Sequence, residues 1–357
     1  MISSVQPALK GRIIAVPYFH KKFMKNCIAS LLLVSCIWAN QLNAQDNKII
    51  PLDPVLENYS YPFPVKFFTL SIQQGIYRMA YMDIQPDRPN GKTIILFHGK
   101  NFGGAYWKQT AEALTKAGFR VVIPDQLGFG KSSKPDHIQY SFQLLALNTK
   151  SLLDSLHISK TSVLGHSMGG MLAARFTLMF PATVEKLILE NPIGLEDWKT
   201  KVPYQSVDGW YKNELSQNYE KIKKYQQENY YHGQWTSEYE KWVAMLAGWS
   251  LHPDYKIVAW NSALTYDMIF TQPVVYEFQN LKTPTLLIIG QLDRTALGKQ
   301  QVSEELRKTM GDYPKLGRDT KQKIPGSVLV EINNVGHLPH IEAFEQFIGP
   351  LLQFLDF

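Results

Sequence analysis

The apolar positions of this chain form two patterns that alternate along most of its length. Apolar runs of four to six residues, typical of strands buried on both faces of a sheet, alternate with segments whose apolar residues recur every three to four positions, as in helices. The predicted strands are Thr93–Phe97, Phe119–Ile123, Thr161–Leu164, Val184–Leu189, Thr285–Ile289 and Ser327–Ile332. The predicted helices are Tyr106–Ala117, Phe142–Leu156, Met168–Phe180 and Glu342–Leu355. This alternation predicts a mostly parallel central sheet flanked by helices on both faces.

Two further strands precede this pattern, and one insertion interrupts it. Phe67–Ile72 and Tyr77–Ile84 alternate enough to predict a strand pair at one edge of the sheet. Between about residues 194 and 281 the helical spacing continues without apolar strand runs, which we interpret as an inserted helical cap. Six of the eight tryptophans lie there: Trp198, Trp210, Trp235, Trp242, Trp249 and Trp260. We divide the chain into a leader, a first core part, the cap and a second core part, at residues 1–44, 45–193, 194–281 and 282–357.

Residues 24–44 have the three-part layout of an export signal. Lys25 follows Met24, a mostly apolar run comes next, and Ala44 ends the segment before polar residues. The run is shorter than the roughly 20 residues that a membrane span needs. We therefore expect translation to start at Met24, cleavage after Ala44 and export to the periplasm or the medium. Two alternatives are lipid attachment at Cys36, which would anchor the chain to a membrane, and a buried N-terminal helix.

The charge of the chain is concentrated in the same leader. The formal net charge is +6, but the first 44 residues contain five Lys or Arg and no Asp or Glu, so about +1 remains for the rest. A nearly neutral body gives a nucleic-acid partner no electrostatic support. No metal-ligand spacing and no G-x-G-x-x-G after a strand are present. We therefore expect a small-molecule substrate and no cofactor.

The sharpest local motif is GHSMGG at residues 165–170, between a predicted strand and a predicted helix. In a strand–turn–helix context, G-x-S-x-G is typical of a nucleophile elbow, a tight turn that exposes a serine hydroxyl above the sheet. The turn also places this serine, Ser167, at a helix N-terminus, whose dipole favours developing negative charge. We predict that Ser167 is a nucleophile.

A serine hydroxyl needs a base to take its proton, and the base needs a carboxylate to orient it. His337 follows the last predicted strand, and Asp293 follows the strand Thr285–Ile289, so both should emerge at the same sheet edge as Ser167. The chain order Ser, Asp, His is that of α/β-hydrolases. His340 is a rival base three residues after His337, and Glu190, at the end of a strand, is an alternative acid.

Small residues after the strand Thr93–Phe97 indicate an oxyanion hole. The segment HGKNFGG at residues 98–104 allows backbone N–H groups to converge on a substrate. We propose the N–H groups of Lys100 and Met168 as the two donors, and we expect His98 to brace this loop.

In these motifs, the chain from about Lys66 onward resembles the α/β-hydrolase superfamily. The resemblance rests on HGKNFGGAYW, PDQLGFGKSSKP, GHSMGGMLAARF, GQLD and NVGHLPHIE, and is closest to the "hydrolase 1" branch of meta-cleavage-product hydrolases, proline iminopeptidases and bacterial esterases. It implies the same triad and oxyanion positions, and a structural role for Asp125. Haloalkane dehalogenases and epoxide hydrolases of this fold place Asp at the nucleophile, whereas this chain has Ser167. Cofactor-free haloperoxidase-like members share the serine triad.

These features predict an exported serine hydrolase that cleaves a small or medium apolar ester through an acyl-enzyme. One alternative is C–C or amide hydrolysis by the same triad. The meta-cleavage enzymes usually have Asn where this chain has His166, and a more Gly-rich loop where it has Lys100–Phe102, which weighs against C–C cleavage. A non-catalytic ligand-binding protein is the other alternative, and the intact triad weighs against it.

Overall fold

A computed structural model describes residues 49–356 of the chain. Its strands are β1 (Val65–Ile72), β2 (Gly75–Ile84), β3 (Thr93–Phe97), β4 (Arg120–Pro124), β5 (Thr161–His166), β6 (Val184–Glu190), β7 (Thr285–Gly290) and β8 (Val328–Ile332). Its helices are α1 (Lys108–Lys116), α2 (Phe142–Ser155), α3 (Met168–Met179), α4 (Val207–Leu215), α5 (Tyr219–Asn229), α6 (Ser237–Ser250), α7 (Tyr255–Thr271), α8 (Glu304–Lys308), α9 (Tyr313–Lys323), α10 (Pro339–Glu342) and α11 (Phe344–Asp356). The predicted leader falls outside these residues.

All eight strands form one sheet in the order β1-β2-β4-β3-β5-β6-β7-β8. β2 is antiparallel to both β1 and β4, and the remaining neighbours are parallel. The predicted fold class, a mostly parallel sheet flanked by helices, is confirmed. Because parallel strands end at one edge, the loops that follow β3, β5, β7 and β8 meet there.

Helices cover the sheet on both faces, which explains why its central strands read as continuous apolar runs. In β3, Ile95 and Phe97 belong to one core cluster, with apolar side chains of α2 and α3, whereas Ile94 and Leu96 belong to a second one, with side chains of α1 and α11. The side chains of a strand point alternately to opposite faces of the sheet, and here both faces are buried under helices. The same division holds along β7, where every residue is buried.

The chain between β6 and β7 forms the helices α4 to α7, within the segment predicted as a cap. The residues that precede β1 pack against this segment: Leu56, which is fully buried, shares a small apolar cluster with Met245, Trp249 and Val258. None of the helices formed by residues 49–356 has both the length and the apolar character that crossing a membrane requires. The boundaries of the cap as a separate domain stay a prediction.

Several predicted elements differ in extent from the observed ones. β5 continues for two residues past the predicted end, through Gly165 and His166, because both lie inside the sheet next to β3 and β6. A 3₁₀ turn, Gly104–Trp107, takes the place of the first turn of the predicted helix that becomes α1. The helix α9 was not predicted, because only Tyr313, Gly317 and Thr320 of its largely polar sequence are buried.

The turn between β5 and α3 has no room for side chains at two glycine positions. A Cβ atom at Gly165 would lie 2.1 Å from the carbonyl oxygen of Gly169, and one at Gly169 would lie 2.3 Å from the carbonyl oxygen of Phe97. Ser167, between them, has φ 57° and ψ −120°, a conformation that L residues rarely adopt. The close packing of backbone on backbone therefore fixes this strained turn.

The substitution Gly165→Ala should destabilise the protein by about 3–5 kcal/mol, because a backbone carbonyl cannot rotate away as a side chain can. Gly349→Ala is the matched control: it lies in α11 with nothing within 4 Å of an added Cβ, and it should stabilise the helix by up to about 1 kcal/mol. Urea unfolding of both variants measures the difference. Equal stability of the two variants would contradict the packing account.

Candidate active site

Three side chains form a continuous hydrogen-bonded chain at the carboxyl edge of the sheet. Ser167 Oγ lies 3.0 Å from His337 Nε2, and His337 Nδ1 lies 2.6 Å from Asp293 Oδ2. The exposed fractions of the three residues are 6%, 1% and 0%. The structure thus brings together the three residues that the sequence predicted as a triad. With Nδ1 donating its proton to the carboxylate, Nε2 is left to accept the serine proton.

Further donors hold the Asp293 carboxylate in place. Asn191 Nδ2 donates to Asp293 Oδ2 over 2.8 Å, and the backbone N–H of Thr295 donates to Asp293 Oδ1 over 2.8 Å. The side-chain oxygen of Asn191 also accepts from the N–H of Gly290 at the end of β7. The motif analysis missed Asn191, which lies just after β6 and has a positive φ. Its amide connects the ends of β6 and β7 to the carboxylate.

The loop that carries His337 is held from two sides. The Glu342 carboxylate accepts the backbone N–H groups of Gly336 and Leu338, over 2.9 and 2.8 Å. From the other side, the carbonyl of Tyr230, just after α5, accepts the N–H of His337 over 2.8 Å. The Tyr230 ring stacks on the imidazole with centroids 4.8 Å apart. Sequence reasoning missed both Glu342 and Tyr230, although Glu342 belongs to the quoted motif NVGHLPHIE.

The rival base and the alternative acid pair with each other instead of joining this chain. His340 Nδ1 lies 2.8 Å from Glu190 Oε1, and the same oxygen accepts the backbone N–H of His340. Both residues are fully buried. The backbone carbonyl of Glu190 accepts the N–H of Ser167, but within residues 49–356 neither side chain forms a hydrogen bond to the side chain of Ser167 or His337. This geometry favours His337 and Asp293 as the partners of Ser167.

His166, beside the serine, has a supporting position. Its Nε2 donates to the carbonyl of His337 over 2.8 Å, and its Nδ1 accepts from the hydroxyl of Tyr106 over 3.0 Å. Burial, together with the nearby His337 and His340, lowers the pKa of His166 well below its usual value. A neutral His166 fits this pattern of one donated and one accepted bond.

The loop predicted to form the oxyanion hole is braced as expected. The hydroxyl of Tyr106 accepts the N–H of Gly99, and the ring of His98 contacts the carbonyl of Gly99 and accepts the N–H of Gln126. Within residues 49–356, the backbone N–H groups of Lys100 and Met168 form no hydrogen bond. Both donors are therefore available to a substrate oxygen.

Asp125 lies away from the serine and organises the neighbouring backbone. Its carboxylate accepts the N–H groups of Gly104 and Lys131 and the hydroxyl of Tyr61, all within 2.7 Å. These contacts match the structural role that the family resemblance implies.

The side chain of Lys100 links this loop to the inserted helices. Its Nζ donates to Ser262 Oγ in α7 over 2.6 Å, and Ser262 donates in turn to the Glu214 carboxylate in α4 over 2.7 Å. Nζ also lies 3.4 Å from the centre of the Tyr266 ring. Burial lowers the pKa of Lys100 to about 8, although Glu214 opposes this shift.

Two adjoining cavities lie between the triad and the inserted helices. A small one of about 40 Å³ contains Ser167 and is walled mainly by apolar side chains, among them Ile193, Trp198, Ile269 and Leu297. A larger one of about 270 Å³ lies beneath α5 and α7. The two share four wall residues: Lys100, Asn101, Tyr225 and Tyr266. No group of His, Cys, Asp or Glu suited to hold a metal ion occurs among residues 49–356.

Comparisons with known proteins agree with this architecture. The family described as "alpha/beta hydrolase fold" matches residues 92–344. A probable hydrolytic enzyme from Pseudomonas aeruginosa has a similar solved structure, with 50% identity, a TM-score of 0.85 and coverage of 86% of this chain and 99% of that one. An esterase from Exiguobacterium antarcticum shares the fold, with 18% identity, a TM-score of 0.63 and coverage of 82% and 100%.

Curated relatives match over a shorter segment. A 2-hydroxy-6-oxononadienedioate/2-hydroxy-6-oxononatrienedioate hydrolase from Escherichia coli O81 is 39% identical over 101 residues, which is 28% of this chain and 35% of the relative. The chain therefore aligns with about a third of that relative's length. The family match and the P. aeruginosa structure show that the chain belongs to the α/β-hydrolase family and is a hydrolase of that fold.

The brace provided by Glu342 should make stability depend on pH between about 4.5 and 7. Burial raises the pKa of Glu342 from 4.5 to about 7, so the folded protein keeps this proton over a range in which the unfolded chain releases it. The contribution of Glu342 to the free energy of unfolding is therefore complete below pH 4.5 and is lost as the pH rises through 7. Relative to Glu342→Gln, the wild type should lose up to about 3 kcal/mol of unfolding free energy across this range.

Urea unfolding at pH 4.5, 6 and 7.5 measures this difference. Glu345→Gln, which removes an exposed carboxyl three residues later, is the control variant and is measured at the same pH values. If both variants show the same pH dependence relative to the wild type, the account of Glu342 is wrong.

Proposed function

We propose that this protein is a serine hydrolase that cleaves a small or medium apolar ester through an acyl-enzyme. The observation that carries the proposal is the chain from Ser167 Oγ through His337 to Asp293, with distances of 3.0 and 2.6 Å. A hydroxyl, an imidazole and a carboxylate in this order are the groups that acyl transfer through serine requires.

The reaction would proceed in two halves. His337 Nε2 takes the Ser167 proton as Oγ attacks the ester carbonyl, and the negative charge that develops on the carbonyl oxygen is held by the N–H groups of Lys100 and Met168. One such donor contributes roughly 3 kcal/mol to transition-state stabilisation. His337 then gives its proton to the leaving alcohol. In the second half, His337 removes a proton from the water that attacks the acyl-enzyme, and then returns it to Ser167 Oγ as the acid leaves.

The surroundings of Ser167 support an apolar group next to the scissile carbonyl. The cavity at the serine measures about 40 Å³, and its apolar walls suit a short alkyl or aryl chain. An apolar pocket also excludes bulk water, which strengthens the interactions with the developing charge.

C–C bond hydrolysis by the same triad is the second candidate. It is favoured by the 39% identity, over 101 residues, to the E. coli hydrolase named for a 2-hydroxy-6-oxo acid. Against it, Lys100 carries a side chain that is bound to Ser262, where the meta-cleavage enzymes have a more Gly-rich loop. We also propose that the protein is exported, on the basis of the signal-like layout of residues 24–44.

A graded series of p-nitrophenyl esters, together with a fluorophosphonate probe, tests the proposal. Among unsubstituted acyl chains we expect turnover to be fastest with short ones, and labelling to disappear in Ser167→Ala. Asp293→Asn should lower kcat by about 10³–10⁴-fold, because an amide no longer holds the imidazole in the required tautomer.

Glu190→Gln is the matched control for Asp293→Asn, because it neutralises the buried carboxylate that is paired with His340. It should retain most of the activity. Absence of labelling in well-folded protein would point to a ligand-binding protein, and loss of activity in Glu190→Gln with full activity in Asp293→Asn would reassign the acid. Turnover of a 2-hydroxy-6-oxo dienoate at rates above those of every ester would favour C–C hydrolysis.

A further inference from the structure

The side chain of Gln226 is buried in the cap segment without a polar partner. Its exposed fraction is 0%, and within residues 49–356 neither Nε2 nor Oε1 has a hydrogen-bond partner. An unpaired buried amide is costly, so its presence in a folded protein calls for an explanation. The residue lies on the inner face of α5, where only Ile222 and Gln226 are buried.

Gln226 belongs to the wall of the 270 Å³ cavity that adjoins the serine pocket. The two cavities share Lys100, Asn101, Tyr225 and Tyr266 as walls, so the larger space begins where the serine pocket ends. Gln226 also precedes Tyr230, whose ring stacks on His337, by four positions. Four residues correspond to about 6 Å along a helix, which places Gln226 about one helical turn from the residue that stacks on His337.

The charged side chains of the larger cavity already have hydrogen-bond partners within the protein. Lys100 donates to Ser262, and Ser262 donates to Glu214. Lys221, at the rim, donates to the carbonyl of Ser216. The Gln226 amide differs from these groups: within residues 49–356 both of its polar atoms are buried without a partner, so it needs both a donor and an acceptor from a ligand.

We propose that the larger cavity binds the remote end of the ester substrate, and that Gln226 recognises a neutral hydroxyl or carboxamide group there. This proposal rests on the proposed ester hydrolysis and specifies its substrate class. A hydroxyl or a carboxamide both donates and accepts, and so satisfies both atoms of the Gln226 amide. A carboxylate offers no donor to Oε1, an ammonium group offers no acceptor to Nε2, and a methyl group offers neither. Gln226 is thus a specificity-determining residue.

The test uses p-nitrophenyl esters whose acyl chains have the same length and end in methyl, hydroxyl, carboxamide or carboxylate, at several chain lengths. At one chain length, the wild type should prefer the hydroxyl or carboxamide end over methyl by about tenfold or more in kcat/KM, the equivalent of one good hydrogen bond. Gln226→Leu should lose this preference, with the methyl-ended ester as the internal reference for each protein. Comparison of the hydroxyl and carboxamide arms identifies which group the site takes.

Gln227→Leu is the matched control. It makes the same change one position later, where the side chain is bound to the carbonyl of Gly233 and lies outside the cavity wall, and it should keep the preference. Without ligand, Gln226→Leu should melt at the same temperature as the wild type or higher, because it removes an unpaired buried amide. A lower melting temperature with an unchanged preference would show that Gln226 is structural and overturn the proposal.

The two proposals fail in different ways. Hydrolysis of all the esters without preference for any end would overturn the role of Gln226 and leave ester hydrolysis intact. If no ester is hydrolysed, ligand binding tests the role of Gln226 instead. Hexanamide should raise the melting temperature of the wild type and not that of Gln226→Leu. Hexanoate should produce a smaller difference in melting temperature between the two proteins. An equal response of both proteins to hexanamide would overturn the proposal.

Discussion

The hydrogen bond between Asp293 and His337 is the interaction on which the site depends. A fully buried carboxylate is unfavourable unless donors surround it, and Asp293 receives one from His337, one from Asn191 and one from the N–H of Thr295. The same bond fixes which imidazole nitrogen faces Ser167. In the proposed mechanism, the carboxylate also stabilises the positive charge that the imidazole acquires when it takes the serine proton.

The fold makes this arrangement possible because parallel strands end together. Ser167 follows β5, Asp293 follows β7 and His337 follows β8, and β6 lies between β5 and β7 in the sheet. Asn191, just after β6, spans that gap with its amide. The strained conformation of Ser167 is held by backbone contacts around two glycines, so the position of its hydroxyl is set by the framework and not by its own rotamer alone.

Much of this arrangement could be predicted from the sequence, because each reacting side chain follows a strand with an unmistakable apolar run. Ser167 stands in a motif whose glycines have a steric reason, and the order of Ser, Asp and His restricts the pairing. Tyr230 could not be predicted in this way, since its contact with His337 depends on how the end of α5 packs on the core. The helix α9 could not be predicted either, because its few buried positions are mostly not apolar.

The choice between His337 and His340 illustrates the same limit of local patterns. Both follow the last strand, and only the tertiary structure shows that His340 pairs with Glu190, away from the serine. Likewise, the sequence indicated a loop of small residues at 98–104, but the link from Lys100 through Ser262 to Glu214 joins positions more than a hundred residues apart. Such contacts between the loop and the inserted helices leave no signal in the local sequence pattern.

Trapping of the covalent intermediate tests the central claim most directly. The protein is mixed with an activated ester that deacylates slowly and quenched in acid during turnover, and its peptides are analysed by mass spectrometry. The account predicts one acyl group on the peptide that contains Ser167, and no adduct or initial burst of p-nitrophenol in Ser167→Ala. Acylation of another residue, or an undiminished burst in Ser167→Ala, would contradict it.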